Sequence, residues 1–335
     1  MQTFPSIELE ILKNWLHENR SITIITHFNP DGDAIGSSLA LKIFLESEGH
    51  TVDCIFPSAY PPYYEWMPEI FTAKIFAEKD RSLYVSLFSE DRLIFCLDFN
   101  ATSRVNGLTE LLSTSSAKKI LIDHHEEPSS EFDLLFSYPG MSSTCELVFD
   151  LILKLDESKL TLDVATCLYT GLITDTGGFQ FSSTHQSTHE MAAKLIEVGI
   201  QPNEIYNHSF NNFSLNRLKL FGYCIANNMK IFEDKKLAYI WIDRKTKDLF
   251  DIQDGDTEGL VNYPLKVADI DMAVLFKQDY DKVRISFRSK RDIDVSQISK
   301  QYFNGGGHKN AAGGMSKKSL RDTLVYFEEL INTVF

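Results

Sequence analysis

Short apolar runs in the first half of the chain are followed directly by acidic residues or histidines. The runs are rich in β-branched and aliphatic residues, and runs of this length predict buried strands. Each predicted strand therefore carries polar side chains at its carboxyl end. The runs cover residues 21–26, 93–98 and 120–123, and the polar residues that end or follow them are His27, Asp31, Asp33, Asp98, Asp123, His124 and His125.

Helical patterns separate these strands. Apolar residues at Ile35, Leu39 and Ile43 have helical spacing and predict a helix that begins near residue 32 or 33. Two further helices are predicted at 142–155 and 162–173, and Asp175 follows the second. Strands that alternate with helices imply an α/β fold with a doubly wound, mostly parallel sheet. Ligands bind such sheets outside the carboxyl ends of the strands, so the polar residues are expected to converge there.

The pattern changes after residue 230. Strands are predicted at 236–242, 272–277 and 282–287, the last two forming a hairpin, and helices at 295–303 and 320–334. This order indicates a smaller α/β domain with a mixed sheet. We predict a catalytic, metal-binding domain at 1–185, a helical linker at 186–216 and a substrate-binding domain at 217–335.

Composition narrows the class of protein. The formal net charge of −14 argues against binding long nucleic acid, which normally requires extended basic surface, but it permits a small anionic substrate. The five cysteines form no Cys-x-x-Cys pair and are predicted to be reduced core residues. The chain has neither a long apolar run nor a secretion signal pattern, so we predict a cytoplasmic protein without membrane contact.

The converging acids need positive charge nearby. Two like charges about 4 Å apart repel by roughly 4 kcal/mol at an effective dielectric constant of 20. Divalent cations would relieve this repulsion, and a mixed Asp/His set suits Mn²⁺, with Mg²⁺ or Co²⁺ as alternatives. The donors are too many for one ion, so we predict two ions that share a carboxylate. Such a pair can activate water and hold a phosphoryl group during an in-line displacement.

A second polar cluster lies in the predicted substrate-binding domain. Consecutive glycines at 305–307 precede His308, and a glycine-rich loop lets backbone N–H groups approach an anion. Upstream, Ser286 and Arg288 alternate along one face of a predicted strand. Arg288 could make a bidentate contact with a phosphate. A flexible turn and a solvated sheet face are the alternative readings of these two segments.

Together these motifs resemble the DHH/DHHA1 phosphoesterases over almost the whole chain, and within them the bacterial NrnA group of nanoRNases and pAp phosphatases. The resemblance implies a DHH domain followed by a DHHA1 domain. The matching segments are His27-Phe-Asn-Pro-Asp-Gly-Asp33, Asp98, Asp123-His-His125, Thr174-Asp175-Thr-Gly177, Ser286-Phe-Arg288-Ser289 and Gly305-Gly306-Gly307-His308.

The resemblance also implies roles for individual residues. His27, Asp31 and Asp98 would hold one ion, while Asp33, Asp98, His124 and Asp175 would hold the other. His125 would meet the scissile phosphate, and Asp123, also assigned to the catalytic centre, would lie behind the metal ligands or reorganise with metal content. Ser286, Arg288, Ser289 and the segment from Gly305 to His308 would bind the nucleotide. Many relatives carry arginine where this chain has Gly178, and Arg104 is the candidate replacement at the catalytic centre.

The resemblance implies an enzyme that hydrolyses short oligoribonucleotides and 3′-phosphoadenosine 5′-phosphate (pAp), with a homodimer as one candidate assembly. A phosphodiesterase for cyclic or linear dinucleotides is the main alternative. From another class, a nucleotide-binding regulator with an inactive metal site would bind dinucleotides without turning them over. Every predicted ligand position holds a residue able to bind metal, which favours an enzyme.

Overall fold

The computed structural model describes residues 4–18, 21–253 and 255–334. The chain divides into two compact units, Met1–Asn212 and Phe213–Phe335. The division into a catalytic domain, a linker and a substrate-binding domain assigns functions to parts of the chain, and it stays a prediction. The ends of the predicted domains, at residues 1–3 and 335, lie outside the described residues. Among the helices described, none combines the length and apolar character needed to cross a bilayer. All five cysteines are buried and free.

The first unit is built on a parallel six-stranded sheet. Its strands are β1 (Ser21–Thr26), β2 (Thr51–Phe56), β3 (Lys74–Ile75), β4 (Leu93–Leu97), β5 (Lys118–Asp123) and β6 (Leu134–Ser137). They are arranged in the order β3-β2-β1-β4-β5-β6, which is a doubly wound topology whose direction reverses between β1 and β4. The predicted fold class is therefore confirmed, and the point of reversal lies between the strands that lead into His27 and Asp98.

Helices cover the sheet of the first unit. They are α1 (Ser6–Glu18), α2 (Gly32–Ser47), α3 (Thr109–Thr114), α4 (Thr144–Asp156), α5 (Leu162–Asp175), α6 (Gln186–Val198) and α7 (Pro202–Phe210). One face of the sheet packs against α2 and α4, and α5 packs on these two helices within the same core of aliphatic and aromatic side chains. The other face packs against α3 and short helical turns in a smaller core. Because both faces are covered, the strands are almost entirely apolar.

The second unit has a mixed six-stranded sheet in the order β11-β12-β10-β9-β8-β7, in which only β8 and β9 pair in parallel. The strands are β7 (Met229–Phe232), β8 (Leu237–Ile242), β9 (Met272–Gln278), β10 (Val283–Ser289), β11 (Gly306–His308) and β12 (Ala311–Ser316). The helices are α8 (Leu215–Asn227), α9 (Arg244–Phe250), α10 (Val295–Tyr302) and α11 (Leu320–Val334). The predicted hairpin of β9 and β10 is confirmed.

The glycine-rich segment is a hairpin and not the open loop that we predicted. Gly306–His308 pairs with β12 in antiparallel register, and the Gly305 N–H donates to the carbonyl of Ser299. The missing side chains allow β11 and β12 to lie close to α10. The segment therefore offers an anion fewer unpaired backbone N–H groups than a loop would.

Gly305→Ala is expected to destabilise the protein by about 1–3 kcal/mol, the range typical of overpacking. A Cβ at this position would overlap the Gly313 carbonyl oxygen and the Ser299 hydroxyl. Gly306→Ala is the matched control, because its methyl group would come no closer than 3.8 Å to Lys300 Cε. Thermal unfolding of the two variants checks this, and equal melting temperatures would contradict the described packing.

Candidate active site

His27 and Asp31 lie between β1 and α2. The Asp31 carboxylate caps α2, with Oδ1 accepting hydrogen bonds of 3.1 Å from the backbone N–H groups of Asp33 and Ala34. Its other oxygen, Oδ2, lies 3.8 Å from His27 Nε2. The His27 ring is oriented from its far side, where Nδ1 lies 3.0 Å from the Phe28 carbonyl oxygen. Capping therefore fixes one carboxylate oxygen and leaves the other facing the imidazole.

Asp98 follows β4 and lies at the centre of the cluster. Its Oδ2 is 3.5 Å from His27 Nε2, and its Oδ1 is 3.5 Å from His124 Nε2. The residue has a φ of 65°, in the left-handed region that aspartate tolerates better than most residues. This backbone conformation at the end of a buried strand is typical of functional sites. The two oxygens of one carboxylate thus face two different histidines.

His124 gathers the remaining donors. Its Nε2 lies 3.4 Å from Asp175 Oδ2 and 3.9 Å from Asp33 Oδ2. Asp175 comes from the end of α5 and Asp33 from the first turn of α2. The structure therefore brings together donors from three strand ends and one helix end. Within the described part of the chain, three compact groups of side chains could hold an ion, namely His27 with Asp31 and Asp98, Asp33 with His124 and Asp175, and Asp98 with His124 and His125.

The donor chemistry fits divalent metal ions. A carbonyl oxygen only accepts hydrogen bonds, so the contacts of His27 with Phe28 O and of His124 with Met141 O place the proton on Nδ1. The Nε2 lone pair of each neutral ring then faces carboxylate oxygens. A lone pair and a carboxylate oxygen repel each other unless a cation lies between them. That cation can be a proton or a metal ion. Metal-binding histidines are typically oriented by such a bond from the other ring nitrogen.

The pKa values of the cluster residues also show that this site favours bound positive charge. Burial and the nearby charges of Asp98 and Asp175 raise the pKa of Asp33 well above its ordinary value. Burial lowers the pKa of His27, but hydrogen bonding and attraction to Asp31 and Asp98 outweigh it and raise that pKa well above normal. Without metal, the cluster therefore binds extra protons, which metal ions would displace.

His125 is held beside the cluster by Asp123. The ring donates from Nδ1 to Asp123 Oδ1 at 2.7 Å, a shorter contact than the 3.9 Å to Asp98 Oδ1. Asp123 is fully buried and is absent from the three compact donor groups. Asp123 is therefore placed to orient the ring of His125.

For Arg104, the structure fixes the position of the backbone but shows no contact of the side chain with the donor cluster. This arginine lies in the helical turn Thr102–Leu108, and its backbone carbonyl accepts a hydrogen bond from the N–H of Phe28. This bond places the turn beside the segment that carries His27. The Arg104 side chain is exposed, and its role in catalysis stays a prediction.

Four of the predicted substrate residues of the second unit share one face of its sheet, namely Ser286, Arg288, Gly306 and His308. Arg288 pairs with Ala311, and Ala311 pairs with His308. In the adjacent row, Ser286 pairs with Gly313 and Gly313 with Gly306. Arg288 and His308 thus stand two strands apart, about 10 Å, with small residues between them.

The hydroxyl of Ser289 has internal partners. It donates to the carbonyl of Ile293 at 2.7 Å and accepts from Asn310 Nδ2 at 2.9 Å. These bonds join β10 to the turn before β12 and give Ser289 a structural task. Gly307 has a φ of 138°, which a residue with a side chain rarely adopts. The Ala311 carbonyl oxygen and the Ala312 Cα leave no room for a Cβ, so this backbone conformation requires glycine.

Sequence reasoning missed the segment that begins α4. Thr144 Oγ1 donates to Asp98 Oδ1 at 2.9 Å, and the N–H groups of Thr144 and Cys145 donate to the two oxygens of Asp33 at 2.6 and 2.8 Å. The positive end of a helix thus faces the carboxylates. The available signal was Ser143 followed three residues later by Glu146, which is a capping-box pattern.

The fold and these donors define a metal-binding α/β protein whose site lies at the carboxyl edge of a parallel sheet. Comparison with known proteins identifies its family. The DHH family, N-terminal domain, matches residues 21–172, and the DHHA1 domain matches residues 235–333. The bifunctional oligoribonuclease and PAP phosphatase NrnA of Bacillus subtilis is 29% identical over 295 residues, 88% of each chain.

Two further comparisons agree. The NrnA protein of Thermus thermophilus, with the same description, is 29% identical over 298 residues, which is 88% of this chain and 84% of the relative. The solved structure of an exopolyphosphatase-related protein from Bacteroides fragilis superimposes with a TM-score of 0.95 at 34% identity. It covers 99% of this chain and 98% of that one. The chain belongs to the DHH family with a DHHA1 domain, and it is a phosphoesterase, a hydrolase acting on phosphoester bonds.

Proposed function

We propose that this phosphoesterase uses two divalent ions to hydrolyse short oligoribonucleotides to mononucleotides and to convert pAp to AMP. The main support for this proposal is the position of the Asp98 carboxylate. One of its oxygens lies 3.5 Å from His27 Nε2 and the other lies 3.5 Å from His124 Nε2. A carboxylate shared between two donor groups suits two ions about 3.5–4 Å apart. His27, Asp31 and Asp98 would hold one ion, and Asp33, Asp98, His124 and Asp175 the other.

Bound ions would supply activated water and charge neutralisation at the phosphoryl oxygens. The chain's own residues fix the donors and handle the substrate. We assign to His125 the contact with the reacting phosphate, because Asp123 holds its Nδ1 proton and sets the ring orientation. Arg104 is proposed to neutralise a phosphate oxygen in place of the arginine that many relatives carry at position 178.

The substrate assignment rests on relatives. The Bacillus subtilis and Thermus thermophilus proteins are both described as oligoribonuclease and PAP phosphatase, and this chain aligns with each over both units. The proposed metal is Mn²⁺, because imidazole accompanies the carboxylates, with Mg²⁺ and Co²⁺ as alternatives. We further propose a cytoplasmic enzyme that does not bind long nucleic acid, and a homodimer stays the predicted assembly.

Product chromatography with Mn²⁺ tests the function. The substrates are 5′-phosphorylated oligoribonucleotides of two to six residues, pAp, and cyclic and linear adenine dinucleotides. We expect mononucleotides from the short RNAs and AMP from pAp. Turnover of the cyclic dinucleotide at a higher kcat/KM than both would replace the proposal with a signalling phosphodiesterase. Binding of dinucleotides without any product would favour the regulator.

Arg288→Ala is expected to lower kcat/KM for dinucleotides and pAp about ten- to a hundredfold. The variant removes a charge-assisted phosphate contact that is worth roughly 1.5–3 kcal/mol. Burial lowers the pKa of Arg288, yet an arginine remains cationic at neutral pH. Hydrolysis of the small diester bis-p-nitrophenyl phosphate should stay nearly unchanged, because we expect this substrate to bind without contacts from the second unit. His308→Ala should behave like Arg288→Ala.

Arg284→Ala is the matched control, since Arg284 stands on the same strand but pairs with Asp279 at 2.6 Å. Its kcat/KM values should stay close to those of the unmodified protein. His125→Ala should slow the dinucleotide and the small diester alike. Equal slowing of both substrates by Arg288→Ala would instead place this arginine at the chemical centre.

A further inference from the structure

Thr144, the first residue of α4, forms hydrogen bonds with both Asp98 and Asp33 of the donor cluster. Its hydroxyl donates to Asp98 Oδ1 at 2.9 Å, and its backbone N–H donates to Asp33 Oδ2 at 2.6 Å. The residue is fully buried. The Asp98 oxygen that accepts from Thr144 is also the one that faces His124. The hydroxyl therefore acts on the carboxylate that the two proposed ions would share.

Hydrogen bonds hold the backbone on both sides of Thr144. Ser143 caps α4 by accepting a 3.1 Å hydrogen bond from the N–H of Glu146. The Glu146 carboxylate accepts in return from the N–H and hydroxyl of Ser142. The Ser143 cap stabilises the first turn of α4, and the two Ser142 contacts hold the residue that precedes it. The capped turn places the Thr144 hydroxyl against Asp98, where its hydrogen bond can hold the carboxylate in one rotational position.

We propose that Thr144 is a positioning residue that keeps Asp98 in its bridging orientation and thereby sets the affinity for the second metal ion. This inference rests on the proposed two-ion function. A carboxylate that can rotate is able to bind one ion through both oxygens, which would leave the other donor group short of a ligand. A hydroxyl donor on Oδ1 opposes that rotation. Removing a hydrogen-bond partner of a metal ligand typically weakens metal binding 10- to 100-fold.

Thr144→Val tests the inference, because it replaces the hydroxyl by a methyl group of similar size. Mn²⁺ is titrated calorimetrically into the chelator-treated full-length protein, and electron paramagnetic resonance is recorded at the same Mn²⁺ concentrations. We expect the first ion to bind as in the unmodified protein and the second at least about tenfold more weakly. The spectrum of coupled Mn²⁺ neighbours should give way to that of isolated ions. Thr144→Ser should restore both readouts.

Thr170→Val is the matched control, since Thr170 is equally buried but its hydroxyl donates to the Thr166 carbonyl within α5. It should bind two ions like the unmodified protein. If Thr144→Val does not fold, Thr144→Ala is compared with Thr144→Ser by the same two readouts.

The outcomes separate the inference from the proposed function. Two ions of unchanged affinity and an unchanged coupled spectrum in the hydroxyl-free variant would overturn the role of Thr144. A single ion bound to the unmodified protein would overturn it as well. If the variant loses the second ion as expected but the unmodified protein hydrolyses no nucleotide, the positioning role stands and the proposed substrates are wrong.

Discussion

Turnover of pAp and of short RNA is expected to fall to background when divalent ions are removed by dialysis against a chelator, and to return when Mn²⁺ is added. The carboxylates of Asp33, Asp98 and Asp175 converge on His124, and the ions proposed to bind there would supply the activated water. Product formation before and after metal readdition is measured by chromatography, with metal content verified by elemental analysis.

The metal-free protein should remain folded, because the large apolar core of the first unit does not depend on ions. Circular dichroism of the dialysed sample provides this control. Undiminished turnover of pAp by protein that elemental analysis shows to be metal-free would contradict the two-ion proposal. Loss of turnover together with loss of helical signal would mean instead that the ions hold the fold.

Asp98→Asn is expected to lower kcat for every substrate by at least about a hundredfold. Partners that merely orient metal ligands are worth 10- to 100-fold, so the shared ligand itself should be worth no less. Burial tends to raise the pKa of Asp98, but His27 and the two adjacent histidines outweigh burial and hold that pKa below its usual range. The carboxylate is therefore ionised at working pH, and asparagine removes both its charge and one of its two acceptor oxygens.

Two measurements check this result, namely kcat at saturating Mn²⁺ and the number of Mn²⁺ ions bound. Asp53→Asn is the control, because Asp53 pairs with Arg92 at 2.6 Å and takes no part in the donor cluster. That variant should keep two ions and its turnover. An Asp98→Asn protein that still binds two ions and retains kcat would show that the carboxylate is not shared.

The elements that the sequence predicted well have a strong pattern and a buried position. Strands β1, β4 and β5 are nearly continuous apolar runs, which is what a parallel sheet covered on both faces requires. Helices α2, α4 and α5 repeat apolar residues at helical spacing. Their ends were also predictable, because Asp31, Ser143 and Thr161 are good capping residues and each accepts from the first turn.

The elements that were missed lack such a pattern. Strand β3 has two residues and β7 has four, and both lie at sheet edges. Neither is long enough to show alternation. Strands β11 and β12 are rich in glycine and alanine, so their side chains give no period, and only pairing with β10 makes them strands. Local composition indicated a loop there, and tertiary contacts produced a hairpin.

For the candidate site, the sequence by itself determined the donor residues. Acids and histidines directly after buried strands mark the carboxyl edge of the sheet, which is where ligands bind in such folds. Only the tertiary structure decided how they are used. It gave Asp98 two histidines to face, placed Asp123 against His125, and brought Thr144 against carboxylates from 46 and 111 residues earlier in the chain. Hydrogen bonds across such separations depend on how helices pack on the sheet, and no local pattern in the sequence specifies that packing.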